Sequence, residues 1–442
     1  MIKLYDHQQT ALDLLRLNDG FALFMEQGTG KTFPVLFRLC ELVKDHKIKS
    51  VAIVAPKAVM GAWSEKIKQL DDEQQKLLNS IRLEIVSYDS VWRKKYAGDF
   101  FDAMVLDEAH YIKNYSAKRT KGCLKKCRAA KYRYILTGTP TSNGQLSNLY
   151  SLMAAITPTL DTKYVYPKLF GGVSYTRWLK QYAYLNQYFQ PYRYHDVDDM
   201  QTKVKSVSWR VTKEECLDLP EKLPNEIWQI DFDSKAKRLH TNIFKNSCDI
   251  ESNIMADNPL TRLLRLRQIS SGFVVNDDGE TLELNNNKLN TLIDYIKEVE
   301  NKTVVFCEFR HSIDAISHKL DELKIKHIVI DGRTQDKEIF KKFQSDAEVR
   351  VCVCQYASGS AGIDLYASSV CVFYEPTLSS NLHEQARDRI HRIGQNRHCE
   401  YIYLLSTPSI ERSIYNALIN YQDFNEKLFT ECIKQYTKGD KL

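Results

Sequence analysis

A chain of 442 residues is too long for one small core, which predicts two or three domains. With 43% hydrophobic and 27% charged residues it has the composition of an ordinary globular protein, and its longest apolar runs, such as Val51 to Ala55 and Val370 to Tyr374, are far too short to span a bilayer. The formal charge of +6, from 62 basic and 56 acidic residues, is too mild to announce a nucleic-acid partner, so any such argument rests on where the charges sit.

Met1 to His7 carries no apolar stretch with a small-residue cleavage site, and a cytoplasmic location is expected. Along the chain, short apolar runs alternate with longer stretches of helical periodicity. Candidate strands are Val51 to Val54, Ala103 to Leu106 and Tyr134 to Leu136, then Val304 to Phe306, His327 to Ile330, Val351 to Cys354, Val370 to Phe373 and Tyr401 to Leu404. Continuous apolar runs of this length suit strands buried on both faces of a parallel α/β sheet. They fall before about Pro140 and after about Thr303, which predicts two sheets and a division into 1–158, 159–286 and 287–442.

The middle part lacks that rhythm. Tyr164 to Tyr194 is crowded with aromatic residues, and Thr261 to Gln268 reads as an amphipathic basic helix. Leu219-Pro220-Glu221-Lys222-Leu223-Pro224 reads as an extended linker, because each proline disfavours helix in the residue before it. The 11 cysteines include no CxxC pair, so reduced thiols packed as small hydrophobes are expected, with no structural zinc.

In open α/β sheets, ligands bind beyond the carboxyl ends of the strands. Phe24-Met25-Glu26-Gln27-Gly28-Thr29-Gly30-Lys31-Thr32 follows the apolar Phe21-Ala22-Leu23 and precedes a helical pattern. A turn through Gly28, Thr29 and Gly30 lets backbone N–H groups close around phosphate oxygens at a helix N-terminus. Lys31 then reaches the β- and γ-phosphates of ATP and Thr32 holds Mg²⁺. Met25 stands where the strict pattern has its first glycine, and a glycine-rich turn without a ligand is the competing reading.

Asp107-Glu108-Ala109-His110, a DEAH sequence, ends another buried run. Two adjacent acids are costly to bury without a metal or a proton to handle. Asp107 is assigned to Mg²⁺ and Glu108 to the attacking water. A helix N-cap explains either acid alone but not the pair. Far along the chain, Arg389 and Arg392 are three apart and share a face if helical. Guanidinium groups that neutralise a γ-phosphate are worth roughly 10³- to 10⁵-fold in rate, whereas a salt-bridged surface helix is the bland alternative.

Taken in order, these motifs resemble those of the superfamily 2 helicase-type ATPases, specifically the Swi/Snf-type branch of double-stranded DNA translocases. The resemblance runs from Tyr5 to about Ile414. It implies two RecA-like lobes with helical insertions between them, ATP and Mg²⁺ bound on the first lobe, and Arg389 and Arg392 completing the reaction. Gln8, in Tyr5-Asp6-His7-Gln8, is implied to read adenine. Lys57, in Val54-Ala55-Pro56-Lys57, is implied with Trp63 to touch the nucleic-acid backbone. Lys113 and Asn114, within Ile112-Lys113-Asn114 and before Ser116, continue the acidic motif in a branch-specific way and are assigned to DNA. Thr137, Gly138 and Thr139, followed by Pro140 and Asn143, resemble the coupling segment that works with His110 and Gln385. Asp331-Gly332-Arg333-Thr334 resembles a phosphate-contacting turn, giving Arg333 and Thr334 to DNA. Trp209 to Lys213, Leu266-Arg267-Gln268-Ile269 and Asn287-Lys288-Leu289 resemble the segments around the second lobe's entry. Ile390-His391-Arg392-Ile393-Gly394-Gln395 is the most specific signature of the branch.

In Gly362-Ile363-Asp364-Leu365, Asp364 is implied to contact the ribose and stands where the branch usually carries asparagine. No chromatin-reading module is recognisable, which argues against histone substrates and suits a compact, monomeric motor from a bacterium or a bacteriophage. The expected activity is ATP-driven movement along double-stranded DNA, remodelling protein–DNA or branched DNA. Strand separation on single-stranded or forked DNA is the alternative. Between Tyr111 and Tyr134 lie nine Lys or Arg residues and no acid, which fits either phosphate contact or a solvated helix face. The aromatic stretch likewise fits either base stacking or the core of a small protrusion.

Overall fold

The computed structural model describes residues 2–57, 59–93, 100–141, 145–161, 163–284, 286–336, 339–359 and 363–437, and Asn143 and Gly362 lie outside the described residues. The chain divides into two compact units, Met1–Asp218 and Leu219–Leu442. Residues 159–286, expected as one intervening segment, are therefore shared between them: the aromatic-rich part belongs to the first unit and the basic helix to the second.

In the first unit, β1 (Gly20–Met25), β2 (Ser50–Ala55), β3 (Arg82–Ser87), β4 (Ala103–Asp107), β5 (Tyr132–Leu136) and β6 (Ser208–Val211) form a parallel sheet in the order β3-β2-β4-β5-β1-β6. Side chains alternate between two cores, as a period of two requires. Phe21, Leu23 and Met25 of β1 join Val51 and Ile53 of β2 on one face, against Leu36 and Leu39 of the helix Thr32–Lys44. Ala22, Phe24, Ala52, Val54, Met104 and Leu106 face the other way, against the helices Lys118–Ala129 and Asn148–Ile156. Every residue of Asn148–Ile156 is buried. The aromatic segment covers it, with Tyr150 packed on Tyr175 and Trp178.

The second unit repeats the plan. Its strands β7 (Glu226–Asp231), β8 (Thr303–Cys307), β9 (His327–Ile330), β10 (Val351–Gln355), β11 (Val370–Phe373) and β12 (Glu400–Thr407) are all parallel, in the order β9-β10-β8-β11-β12-β7. Cys352 and Cys354 point into one core while Val351 and Val353 point into the other, so these thiols serve as small apolar side chains. The α/β class with two parallel-sheet lobes is what the apolar runs imply. Four strands are missing from the candidate runs: β1, signalled only by the short Phe21-Ala22-Leu23, and β3, β6 and β7, which are sheet edges with mixed exposure. The linker motif is extended, as its prolines require, and Leu223 donates its N–H to the Cys399 carbonyl beside β12 (2.9 Å). No helix among the described residues is long and apolar enough to cross a membrane.

One charged pair sits inside the second unit. Lys288 Nζ lies 2.9 and 2.8 Å from the two Glu411 oxygens, and both side chains are 1% exposed. Glu411 also accepts the Ser406 N–H (2.7 Å). Burial raises the Glu411 carboxyl above its ordinary range and Lys288 opposes that rise. Removing one partner of such a pair strands the other, at a cost of about 3–5 kcal/mol. Lys288→Met is expected to lower the stability of this unit by about that amount in denaturant unfolding, and Lys288→Met with Glu411→Leu is expected to recover most of the loss.

Candidate functional site

The glycine-rich loop leaves β1 at Met25 and runs into the helix Thr32–Lys44, so the first N–H groups of that helix end where the loop turns. Gly30 has φ +78°, and a Cβ placed there would fall 2.1 Å from Gln8 Nε2, so any other residue would be strained and would displace Gln8. Gln8 donates from Nε2 to the carbonyls of Thr29 (3.3 Å) and Gly30 (3.2 Å), and its Oε1 accepts the Tyr5 N–H (3.1 Å). The His7 ring lies 2.8 Å from the same Thr29 carbonyl. The structure thus places Gln8, implied to read a base, as a brace across the phosphate-type loop. The Thr29 hydroxyl closes the turn by donating to Glu26 O (2.8 Å). Glu26 in turn accepts the Lys213 N–H (2.8 Å), joining the loop to the end of β6.

The acids end β4, which is separated from β1 by β5. Two strand spacings, about 10 Å, therefore lie between the loop and the acids. Lys31 bridges them: its Nζ is 3.6 Å from Glu108 Oε1, and Gln27 Nε2 donates to the same oxygen (3.4 Å). Asp107 is 4% exposed. Burial raises its carboxyl above the ordinary range, and the neighbouring Glu108 charge adds to the rise; Lys31 and the Trp63 hydrogen bond oppose it. Asp107 accepts the Trp63 indole N–H (2.7 Å) and the Glu108 backbone N–H (3.0 Å).

Trp63 departs from the sequence expectation. It is 1% exposed, so its ring holds Asp107 from within the core and presents nothing to a nucleic-acid backbone. Lys57, from the same expected contact, is exposed.

Glu108 sits at φ +51°, ψ +52°, a left-handed conformation that costs a residue with a side chain about 1–2 kcal/mol. That backbone turn directs Glu108 back toward Lys31. Its other oxygen lies 3.2 Å from His110 Nδ1, which is 3.5 Å from Thr137 Oγ1. Thr137 Oγ1 accepts the Thr139 N–H (3.2 Å). Gly138 lies against the glycine-rich loop, where a Cβ would meet Gln27 N at 3.2 Å. Lys31, Glu108, His110 and Thr137–Thr139 are therefore one contiguous group. Tyr88, which no motif points to, donates its hydroxyl to the Asp107 carbonyl (2.8 Å) and stacks on Tyr111.

Around this group the basic stretch divides. Lys118, Lys121 and Lys125 are exposed on one face of the helix Lys118–Ala129, whereas Lys126 is buried and Arg119 pairs with Asp89 (3.0 Å). Asn114 is exposed and uses its side-chain oxygen on Ser116, and Lys113 fixes the hydroxyl of Ser151 with its carbonyl.

In the second unit, Arg389 and Arg392 both donate to the Ile363 carbonyl (3.1 and 3.3 Å), and Arg392 also pairs with Asp364. Gln395 explains the rigidity of their turn: Nε2 donates to Tyr366, Ser368 and Ile390 carbonyls, and Oε1 accepts the N–H groups of Asn396 and Arg397. His391 reaches the Pro220 carbonyl (2.8 Å), tying the linker to the same turn. Gln385 interacts with Asn381 one helical turn away. Arg333 is held by Asp314 in a two-pronged pair (2.6 and 3.0 Å) and by Asp331 (2.7 Å), and Thr334 hydrogen-bonds within its own turn. Arg333 is thus committed to carboxylates rather than presented singly.

Residues 7–272 match the SNF2-related domain and residues 287–394 match the helicase conserved C-terminal domain. An uncharacterized ATP-dependent helicase of Mycoplasma genitalium is 27% identical over 447 residues, covering 94% of this chain and 40% of that protein. A SWI/SNF-related matrix-associated actin-dependent regulator of chromatin subfamily A-like protein 1 of Xenopus laevis is 24% identical, covering 86% and 39%. The chain thus spans about two fifths of the length of these relatives. A solved SWI2/SNF2 ATPase core of Sulfolobus solfataricus in complex with dsDNA aligns with TM-score 0.44 and 20% identity over 99% of this chain and 96% of that one.

Trp63→Phe keeps the ring but removes the N–H that Asp107 accepts. A buried carboxylate that loses one donor is expected to destabilise the first unit by about 1–3 kcal/mol, read from denaturant or thermal unfolding. A variant as stable as the parent protein would show that the indole N–H does not hold Asp107.

Proposed function

This chain belongs to the SNF2-related family, and we propose that it hydrolyses ATP to move along double-stranded DNA. The observation that carries the reading is the contiguous group in the first unit: Lys31, Glu108, His110, Thr137 and Thr139 join the loop suited to phosphates to the segment implied in coupling. A change at the γ-phosphate side of Glu108 has a contiguous route of polar contacts to Thr139, through His110 and Thr137, which a static anion site does not require.

The residues fit Mg²⁺. Two adjacent carboxylates, one buried and raised above its ordinary range, ask for a cation beyond the single Lys31. Thr32 and Asp107 would hold it, and when bound it supplies charge neutralisation of the phosphates. ATP lies with its phosphates on the N–H groups of Gly28 to Thr32 and Lys31 beside its terminal phosphates. Glu108, between Lys31 and His110, orients the water that attacks the γ-phosphorus and takes its proton as the bond to the bridging oxygen breaks. Arg389 and Arg392 neutralise the charge that spreads over the transferred phosphoryl group, and Asp364 contacts the ribose. Lys57, Lys113, Asn114 and the exposed face of Lys118, Lys121 and Lys125 track phosphates, which carry no sequence information and so suit a motor. A bacterial cytoplasm and action as a monomer complete the reading.

Strand separation on forked DNA is the second reading, and the exposed aromatic hairpin of the first unit favours it.

Steady-state ATP hydrolysis by the full chain, at one low salt concentration, is expected to rise with duplex DNA well above its rate with single strands, RNA or no nucleic acid. Preference for single strands would replace the duplex reading, and indifference to all three would overturn the motor. Arg392→Ala is expected to keep ATP affinity within about threefold while turnover falls by roughly 10³-fold or more. Retained turnover would remove Arg392 from the reaction.

A further inference from the structure

The segment from Lys163 to His195 contains five Lys or Arg residues and no Asp or Glu. Its aromatic residues meet two different fates. Tyr175, Trp178 and Tyr182, spaced three and four apart on the helix Tyr175–Tyr182, turn inward with Phe170 to form a core. Directly after that helix, the strands Ala183–Leu185 and Pro191–Tyr194 form an antiparallel hairpin whose aromatics turn outward. Tyr184 is 51% exposed, Tyr188 73%, Phe189 70% and Tyr192 69%.

The hairpin is built firmly. Its root is clamped where the Tyr182 hydroxyl donates to Asp199 (2.8 Å) and accepts from Lys203 (3.0 Å), and where Ser147 donates its N–H to the Tyr194 hydroxyl (3.1 Å). At the tip the Asn186 side-chain oxygen accepts the N–H groups of Tyr188 and Gln190 (2.9 and 3.0 Å). Pairing skips Tyr192, the extra residue of a bulge opposite the step from Tyr184 to Leu185, and a bulge re-aims a side chain. The Tyr184 and Tyr192 rings consequently lie 6.4 Å apart on the exposed hairpin. Phe189 has φ +57°, a strained conformation that an exposed loop would shed by using glycine or asparagine.

We propose that this hairpin stacks on unpaired nucleobases, with Tyr188 and Phe189 as the stacking rings, at a junction between duplex and single-stranded DNA. The proposal rests on the DNA reading above and names the part of a DNA substrate that the hairpin reads. Exposed planar rings on a rigid support, within an acid-free basic segment, match the two needs of a single strand: a π-face for each base and positive charge for the backbone. A paired duplex keeps its bases stacked on one another and leaves these rings no partner. The uncharged tip, Asn186 to Pro191, meets the bases, while Lys180 and Arg193 lie exposed at its base near the phosphates.

The test uses the full chain and three labelled DNAs of one sequence: a blunt duplex, a fork with unpaired arms, and a single strand. Affinities are measured by fluorescence anisotropy without nucleotide, alongside ATPase rates. Tyr188→Ala with Phe189→Ala removes surface rings and leaves no cavity. Its affinity for the fork and the single strand is expected to fall by about tenfold or more, with blunt-duplex affinity and duplex-stimulated ATPase within about twofold of the parent. Tyr188→Trp with Phe189→Trp is expected to retain fork affinity. Unchanged fork binding by the alanine variant overturns the proposal, as does an equal loss on fork and duplex. A change in sedimenting mass with intact fork binding overturns it in favour of a protein–protein surface. Duplex stimulation of the parent's ATPase decides the motor reading separately, because fork binding needs no turnover.

Discussion

Placing two carboxylates side by side at the end of a buried strand is the constraint around which the first unit is arranged. Asp107 is buried, and the Glu108 charge beside it adds to the cost of ionising it. The fold answers with a different partner for each oxygen. Asp107 takes an indole N–H from the helix after β2 and a backbone N–H from its own neighbour. Glu108, turned by a left-handed backbone, divides its two oxygens between Lys31 and His110. The loops after β1, β2, β4 and β5 meet at one place because the charge of two acids can be offset only from several sides.

The second unit solves a different problem, that of fixing the direction of two guanidinium groups. Arginine has five N–H donors in a fixed fork. Arg389 and Arg392 share the Ile363 carbonyl as an anchor, which fixes direction, and Arg392 also pairs with Asp364. Behind them Gln395 joins three carbonyls to two N–H groups. Gly394, at φ +103° against the Tyr366 ring, allows the turn that Gln395 locks. Glycine and glutamine in the most specific motif of the chain therefore have a mechanical reason. Arg333 is gripped by two aspartates, Asp314 and Asp331, and the result is a stapled turn.

What the sequence revealed follows from which interactions are local. Central strands announce themselves because burial on both faces demands an apolar residue at every position; the edges β3, β6 and β7 make no such demand. The glycine-rich loop and the acidic pair were legible for a similar reason, since the chemistry restricts residue type at adjacent positions. Trp63 was misjudged because its role depends on Asp107, 44 residues away, and spacing carries no sign of that contact. Gln8 also bonds to the loop 21 residues on, a contact that no local pattern signals. Glu108's left-handed backbone was equally hidden, because nothing in a carboxylate's neighbours encodes positive φ.

The aromatic segment shows how one composition yields opposite surfaces. Between Phe170 and Tyr182 the rings recur at helical spacing, so a single face collects them and burial follows. From Tyr184 onward the backbone is extended and the strand is only three or four residues long, too short and too isolated to bury both of its faces. A two-stranded hairpin with exposed rings gains little stability of its own, so its geometry is borrowed from the helix beneath it. Trp178 at 0% exposure and Phe189 at 70% are eleven residues apart, and the buried ring holds the support from which the exposed one projects. A segment that needed only a core could have ended at Tyr182. The hairpin beyond it keeps strained backbone, a bulge and four solvent-facing rings, costs that make physical sense where those rings have a partner outside the chain.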